Sequence, residues 1–318
     1  MIFIDLLRKR LLKVMAIAIT NRCNLRCKMC SVWKMKNRND MSFKDFKIIV
    51  KKIKLVGIKK MVFSGYGEPL MNKNFISFVN YAFSQGFELN LITNGTLIRR
   101  YPLKTFKKFK KIVISLDSIE NYFKIRGKKE SDTIIKNIFF LKEHDLNVEV
   151  NVLLSSYNYE ELEKIFSFFK KMNIKINLHL TTDVLLLNFH ELPLEKRQLS
   201  KTIEFIKKEE RGIFNNLNQK KATIDLLNQL LKKSKKNLRG GCIMPLKSIF
   251  VLPDGNVLSC CGTNAFIMGN LLKSDLKEMF KRNDEKISKL VLGRRQCKYC
   301  LDKESFPQLV LEKIKYGW

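Results

Sequence analysis

The sequence predicts a parallel α/β fold followed by a smaller C-terminal domain. Between residues 14 and 209, six short apolar or β-branched runs alternate with longer amphipathic segments, as in buried parallel strands separated by helices. With 318 residues, the chain is long enough for one large domain and a second, smaller one. From Cys242 onwards the pattern changes to a hairpin, a helix and closely spaced cysteines.

The six strand–helix units can be placed individually. The strands are predicted at Val14–Thr20, Lys60–Ser64, Glu88–Thr93, Lys111–Leu116, Asn147–Leu153 and Lys175–Leu180. The helices are predicted at Ser42–Val56, Asn72–Ser84, Leu103–Phe109, Ser131–His144, Tyr159–Met172 and Glu195–Glu209. Ser42 and Ser131 stand at expected N-cap positions, and Gly57 and Gly86 at C-cap positions. Right-handed crossovers would wrap these units into an incomplete barrel, but periodicity alone fits an open doubly wound sheet equally well.

The domain boundaries follow from the changes in pattern. We predict a lead-in helix at 1–12, the α/β domain at 13–205, a basic helical bridge at 206–240, the small domain at 241–305 and a tail at 306–318. In the small domain, Lys247–Leu252 and Asn256–Cys260 flank a Pro-Asp-Gly turn and predict a β-hairpin. Ser274–Ser288 predicts a helix.

The chain is strongly basic, with 61 Lys and Arg, 30 Asp and Glu and a formal net charge of +31. Such a charge attracts nucleic acid, anionic lipid or acidic substrates. However, no basic run is interleaved with aromatic residues that could stack on bases, and the N-terminal apolar run is too short to span a bilayer. The composition therefore argues against nucleic acid and membrane as partners and favours a cytoplasmic protein, with the oligomeric state open.

Three cysteines, Cys23, Cys27 and Cys30, follow the first strand with the spacing C-x3-C-x2-C. Three thiolates on one short loop can hold three corners of a four-iron cluster and leave the fourth iron without a protein ligand. An open metal position is where a substrate or cofactor binds. A zinc loop or a set of buried thiols is the alternative, whereas a disulfide is disfavoured because no secretory signal precedes the loop.

This spacing resembles the signature of the radical S-adenosylmethionine (SAM) superfamily, and the resemblance extends from about Val14 to Cys300. It implies a partial (β/α)6 TIM-like barrel, a SAM-binding 4Fe–4S cluster with an open iron, and SAM itself. Ser64 to Pro69 resembles the GGEP motif of the superfamily, whose backbone and acid bind the amino group of the SAM methionine. Tyr66 replaces the second glycine of that motif, so its side chain must point away from the ligand.

The resemblance places further SAM contacts at successive strand ends. Ser115 and Arg126 resemble the ribose and carboxylate contacts, and helix capping is the alternative for Ser115 and Asp117. Asn151 is a polar residue within an apolar strand and could hold the ribose or adenine. The predicted SAM-binding residues are Gly65, Tyr66, Gly67, Glu68, Thr93, Asn94, Ser115, Arg126 and Asn151.

A second group of cysteines lies near the C-terminus. The predicted ligands are Cys242, Cys260, Cys297 and Cys300, which resemble the auxiliary-cluster domain called twitch, a short relative of the SPASM domain. Four thiolates imply a second 4Fe–4S cluster with no open iron, and a structural zinc is the alternative. Cys261 is spare and could replace Cys260 as the ligand.

The resemblance implies reductive cleavage of SAM to a 5′-deoxyadenosyl radical, which abstracts a hydrogen atom from the substrate. A one-electron reductant such as flavodoxin or ferredoxin is the implied partner. Oxidation of a small molecule such as a sugar or cyclitol is favoured over modification of a ribosomally made peptide, since only about a dozen residues precede the first strand and leave no room for a leader-recognition domain. A metal-bearing scaffold that binds nucleic acid is the non-enzymatic alternative. The sequence assigns no catalytic residue.

Overall fold

The structure is a computed structural model that describes residues 8–180, 194–209, 217–232, 244–259 and 266–291. Its strands are β1 Val14–Ile17, β2 Lys60–Phe63, β3 Glu88–Thr93, β4 Phe109–Ser115, β5 Val148–Leu154, β6 Lys175–Leu180, β7 Ser248–Val251, β8 Asn256–Leu258 and β9 Ile267–Asn270. They form one sheet in the order β6-β5-β4-β3-β2-β1-β7-β8-β9. The pairs from β6 to β7 in this order are all parallel, and the pairs β7–β8 and β8–β9 are antiparallel.

The helices lie between these strands. They are α1 Phe43–Leu55, α2 Phe75–Ser84, α3 Leu103–Phe106, α4 Tyr122–Arg126, α5 Ser131–Glu143, α6 Leu162–Lys171, α7 Lys196–Lys208, α8 Leu217–Leu231, α9 Met244–Lys247, α10 Leu276–Arg282 and α11 Asp284–Val291. The predicted partial (β/α)6 TIM-like barrel is confirmed, because six parallel strands alternate with helices and the sheet is not closed within the described residues. Among these residues, no helix is long and apolar enough to cross a membrane.

The core lies between the sheet and its helices. Residues alternate between partly exposed and buried along β1 and β2, so every second side chain faces the helices. Phe63 of β2 packs on Phe46 of α1, whose ring centroid lies 4.5 Å from that of Phe78 in α2. The other face of β1 to β6 lies opposite the helices and carries mostly partly exposed side chains. It is called the concave face below, because the inner face of a partial barrel is the one away from the helices.

The C-terminal hairpin joins the main sheet, which the sequence did not predict. The predicted hairpin is present as β7 and β8, but β7 also pairs in parallel with β1, with Ala16 opposite Phe250. Ala18, Phe250 and Leu258 form a small buried cluster at this junction. The C-terminal region is therefore attached directly beside the strand that leads into the three N-terminal cysteines.

Several predicted boundaries need correction. The helix predicted at Leu103–Phe109 ends at Phe106, because Phe109 already begins β4 and is buried in the core. The helix predicted at Ser274–Ser288 is two helices separated at Asn283, whose side-chain amide donates to Met268 O and Met279 O. Ser42 caps α1 as predicted by accepting from Asp45 N. Ser131, however, is the first residue of its helix, and Glu130 precedes it as the cap.

Candidate active site

The three N-terminal cysteines lie in the loop of residues 20–35, called the cluster loop below. Thr20 forms an isolated antiparallel bridge with Asp40, which fixes the start of the loop. Cys27 is only 6% exposed, and Cys23 and Cys30 are partly buried. The thiols therefore lie below the surface at the carboxyl end of the parallel strands, where α/β folds place their ligands.

The loop after β2, residues 64–69, packs directly on the backbone of the cluster loop. Glu68 N donates to Arg22 O at 2.8 Å. A Cβ atom on Gly67 would lie 2.6 Å from Thr20 O and 2.7 Å from Arg22 O, and Gly67 has a φ of +121°. Only glycine allows both this conformation and this approach. The loop that resembles GGEP is therefore held against the cysteines by its own backbone.

Gly65 and Tyr66 face the C-terminal hairpin. The Tyr66 ring packs edge-on against Phe250 of β7, with 5.2 Å between centroids. A Cβ atom on Gly65 would lie 2.1 Å from the same phenylalanine ring. The tyrosine that departs from the superfamily motif therefore packs against β7, on the strand that continues the sheet beyond β1.

Glu68 links the ends of β2 and β3. Its carboxylate is 2% exposed and accepts hydrogen bonds from Leu70 N at 3.1 Å, Thr93 Oγ1 at 2.6 Å and Asn94 N at 2.7 Å. Burial raises the pKa of Glu68, and these donors act against that shift. Asn94 Nδ2 in turn donates to Asn24 Oδ1 at 2.8 Å. Three predicted SAM-binding residues thus form one network that reaches the cluster loop.

Ser115 at the end of β4 lies beside Asn151 in the middle of β5. The strand register places Ser115 opposite Asn151, and Asn151 opposite Asn177 of β6. All three side chains are partly exposed. The two predicted residues therefore belong to a polar row across the concave face, and sequence reasoning missed its third member.

Arg126 contacts a cluster-loop cysteine. Its guanidinium binds both oxygens of Asp117, with 2.9 Å between Nη2 and Oδ1, and its Nη1 lies 3.8 Å from Cys27 Sγ. Asp117 is 0% exposed and also accepts from Leu153 N at 2.8 Å. Asp117 is thus a buried ion-pair partner rather than the simple helix cap that the sequence allowed.

The chemistry of the three thiols fits an iron–sulfur cluster. Burial raises the pKa of Cys23 to about 12, and it also raises the pKa values of Cys27 and Cys30. Bound iron would compensate three buried thiolates with positive charge.

Two further residues at this site were missed by sequence reasoning. Tyr122 is 1% exposed and its hydroxyl has no hydrogen-bond partner in the described part of the chain. The four-residue spacing from Arg126 was the available signal, because it places both on one face of α4. Glu161 accepts hydrogen bonds from the loop before α4, including one from Ser118 Oγ at 2.8 Å. No local sequence pattern predicts this contact.

The predicted auxiliary ligands Cys242, Cys260, Cys297 and Cys300, together with the spare Cys261, lie outside the described residues. His179 lies on β6 opposite Leu153, on the concave side of the sheet.

Two family models match the regions of the chain that contain the two groups of cysteines. A family model described as the radical SAM superfamily matches residues 17–169. A second model, SPASM, described as an iron-sulfur cluster-binding domain, matches residues 242–302, a span that contains all five C-terminal cysteines.

One curated relative matches about a third of the chain. A S-adenosylmethionine-dependent nucleotide dehydratase of Selenomonas ruminantium is 38% identical over 104 residues, which are 32% of this chain and 38% of that protein. This chain therefore spans well under half the length of that relative.

Solved structures share the fold across most of the chain. SuiB of Streptococcus suis bound to the precursor peptide SuiA has a TM-score of 0.66 at 18% identity, covering 87% of this chain and 66% of that chain. The enzyme anSMEcpe with bound AdoMet has a TM-score of 0.66 at 19% identity, covering 95% and 96%. The chain belongs to the radical SAM superfamily, with a 4Fe–4S cluster and SAM as cofactors and an iron–sulfur SPASM domain at its C-terminal side.

Proposed function

We propose that this enzyme cleaves SAM reductively and oxidises a polar small molecule, such as a sugar or cyclitol, by hydrogen-atom abstraction. The observation that carries the proposal is the row of polar side chains, Ser115, Asn151 and Asn177, across the concave face of the sheet. When bound, the cluster and SAM supply a 5′-deoxyadenosyl radical, and the protein contributes binding and orientation. Cys23, Cys27 and Cys30 would hold the cluster.

The concave face offers charged and amide groups for a hydroxyl-rich substrate. Glu149 of β5 is 5% exposed and forms an ion pair with Lys111 Nζ at 2.5 Å. Asn177 Nδ2 donates to the same carboxylate at 3.0 Å. Asn151 lies two residues beyond Glu149 on the same side of β5. These amide and charged groups have further hydrogen-bonding capacity, so this face favours a ligand that carries hydroxyl groups.

The strand-end residues are proposed to bind SAM between the cluster loop and the concave face. The loop containing Gly65, Tyr66, Gly67 and Glu68 supports the methionine end, because it touches the cluster loop. Glu68 Oε2 accepts one hydrogen bond, from Asn94 N, which leaves capacity for an ammonium donor. The remaining proposed contacts are Thr93, Asn94, Ser115, Arg126 and Asn151.

The C-terminal cysteines are proposed to hold the second cluster. Cys242, Cys260, Cys297 and Cys300 are the proposed ligands, with Cys261 as the alternative to Cys260. A two-electron oxidation leaves one electron on the substrate after hydrogen-atom abstraction, so an acceptor of this kind is required. The pairing of β7 with β1 places the strand that follows Cys242 in the sequence beside the strand that leads into the cluster loop.

An acidic one-electron carrier, such as flavodoxin or ferredoxin, is the proposed reductant. Residues 22–38 and 121–129 contain ten basic and no acidic residues, about twice the basic density of the whole chain. The two segments meet where Lys28 N donates to Ile125 O at 3.0 Å. Complementary charge accelerates encounter between redox partners whose interfaces are small.

Modification of a ribosomally made peptide is the second candidate. SuiB bound to its precursor peptide shares this fold over 87% of the chain. The relative named as a nucleotide dehydratase instead supports a small-molecule substrate. Deuterated candidate substrates separate the two classes, because the true substrate transfers deuterium into 5′-deoxyadenosine.

The test begins with anaerobic reconstitution and SAM cleavage driven by dithionite. We expect 5′-deoxyadenosine from the natural chain and none from the variant in which Cys23, Cys27 and Cys30 are replaced by Ala. That variant should retain C-terminal iron, whereas Cys242→Ala should lose about half the iron and still cleave SAM. Product from the triple variant would refute the cluster assignment. An iron-loaded natural chain that cleaves no SAM would favour the non-enzymatic scaffold.

A further inference from the structure

One face of helix α4 is turned towards the cluster loop. Tyr122 and Arg126 are four residues apart and therefore lie on the same side of this helix. Tyr122 is fully buried, whereas Phe123 on another side is 53% exposed and Lys124 is also exposed. Lys28 N donates to Ile125 O, and a Cβ atom on Gly127 would lie 2.7 Å from Arg26 O. The helix and the cluster loop are thus in direct backbone contact.

The three cysteine sulfurs receive unequal hydrogen bonds in the described structure. Cys23 Sγ accepts from Leu25 N at 3.5 Å, and Cys30 accepts from backbone groups of the following turn. Cys27 Sγ faces the guanidinium of Arg126 at 3.8 Å. Charged donors form stronger hydrogen bonds than neutral ones. Arg126 therefore places a positive charge beside the sulfur of Cys27.

The Tyr122 hydroxyl is a buried donor without a partner in the described residues. Its pKa is raised, first by burial, and the nearby Cys27, Asp117 and Cys23 add to the effect while Arg126 opposes it. A buried polar group without a hydrogen bond is destabilising. Cluster sulfur at the adjacent cysteines would provide the missing acceptor.

We propose that Tyr122 and Arg126 donate hydrogen bonds to sulfur atoms of the cluster held by Cys23, Cys27 and Cys30, and thereby raise its reduction potential. Asp117 is the positioning residue that holds the guanidinium in place. Reduction adds negative charge to the cluster, so donors and positive charge at its sulfurs stabilise the reduced state. This inference rests on the proposed cluster ligands and is independent of any contact between Arg126 and SAM.

The loop before α4 is fixed by a remote carboxylate, which supports a requirement for accurate placement. Glu161 accepts from Ile119 N, Glu120 N and Asn121 N at 3.1 to 3.2 Å. It also accepts both Ser118 Oγ contacts, at 2.8 and 2.9 Å. Together with Asn121 Nδ2, five donor groups on one carboxylate hold the residues that lead into α4.

The test is a redox titration of the N-terminal cluster in the absence of SAM, followed by electron paramagnetic resonance. The triple cysteine-to-alanine variant supplies the C-terminal signal to be subtracted. We expect Tyr122→Phe and Arg126→Gln to shift the oxidation–reduction equilibrium about tenfold against the reduced state, or 59 mV for one electron. Asp117→Asn should shift it in the opposite direction, because it removes a negative charge while an acceptor for Arg126 remains.

Lys124→Gln is the matched control, since it removes an exposed cation from the same helix and should leave the potential unchanged. Opposite shifts from Asp117→Asn and Arg126→Gln cannot arise from general loosening of the site. If Arg126→Gln fails to fold, the isosteric Tyr122→Phe variant still decides, and its metal-free form should melt no lower than the natural chain. If Tyr122→Phe and Arg126→Gln have the same reduction potential as Lys124→Gln, the inference is wrong. If the potentials shift as expected but the protein cleaves no SAM, only the proposed function is rejected.

Discussion

Replacing Gly67 with Ala tests whether contact between two loops builds the cluster site. Gly67 has a φ of +121°, and an added Cβ would lie 2.6 to 2.9 Å from three backbone atoms of the cluster loop. The backbone strain alone costs about 1–3 kcal/mol. Because the neighbouring atoms are backbone, they cannot rotate away as a side chain could. The two loops must separate, which also breaks the bond from Glu68 N to Arg22 O and adds about 1 kcal/mol.

Gly86→Ala is the matched control for this prediction. Gly86 also has a positive φ, of +82°, but an added Cβ would meet nothing within 4 Å. We therefore expect Gly86→Ala to lower stability by the strain alone and to leave iron loading unchanged. Gly67→Ala should lower stability further and reduce N-terminal iron and SAM binding together. Thermal melting of the metal-free chain and iron analysis after reconstitution measure both effects. Equal behaviour of the two variants would refute the proposed contact.

Three further perturbations follow from the same contacts. Glu68→Ala should weaken SAM binding tenfold or more and also lower the melting temperature, because three hydrogen bonds are lost. Calorimetry measures the SAM affinity. A lower melting temperature with unchanged SAM affinity would mean that Glu68 has only a structural role. Burial opposes ionisation of Glu161, but hydrogen bonds from Glu120 N and other donors outweigh it and lower its pKa. The stability contributed by Glu161 is therefore present above the unfolded pKa of about 4.3 and is lost as pH falls through the folded pKa. In urea unfolding, the difference in stability between Glu161→Gln and the natural chain should be larger at pH 7 than at pH 3. Reversing the charge of Lys124 and Lys128 should slow reduction by flavodoxin but not by dithionite. Lys277→Glu on α10 is the control and should slow neither. Equal flavodoxin rates in these variants would count against binding of an acidic carrier at residues 22–38 and 121–129.

The strand pattern could be read from the sequence because it is local. Glu88–Thr93 and Lys175–Leu180 agree with the structure residue for residue, since each is a short run that alternates between buried and less buried residues and follows a turn. The end of α3 was wrong because Phe109 is apolar in either a helix or a strand, and the strand pairing with Leu89 decides between them. Periodicity carries no information about such a partner.

Contacts between distant residues limited the prediction of the site. The sequence singled out Arg126, but its ion pair with Asp117 and its approach to Cys27 appear only when α4 is folded against the cluster loop. The pairing of β7 with β1 likewise joins segments more than 200 residues apart. By contrast, Asn177 could have been found, because it is polar within an apolar strand, as Asn151 is.

The cluster loop owes its shape mainly to the ends of successive strands and to α4. The loop after β2 contributes Glu68 N, the loop after β3 contributes Asn94, and α4 contributes Ile125 O and Arg126. Each hydrogen bond alone contributes about 1 kcal/mol, so none of them fixes the loop by itself. Parallel strands bring their carboxyl ends to one edge, which lets these weak contacts act on the same short segment. The position of α4 depends in turn on Glu161, which follows β5, so the surroundings of Cys27 are set by a residue that no spacing rule connects to the cysteine motif.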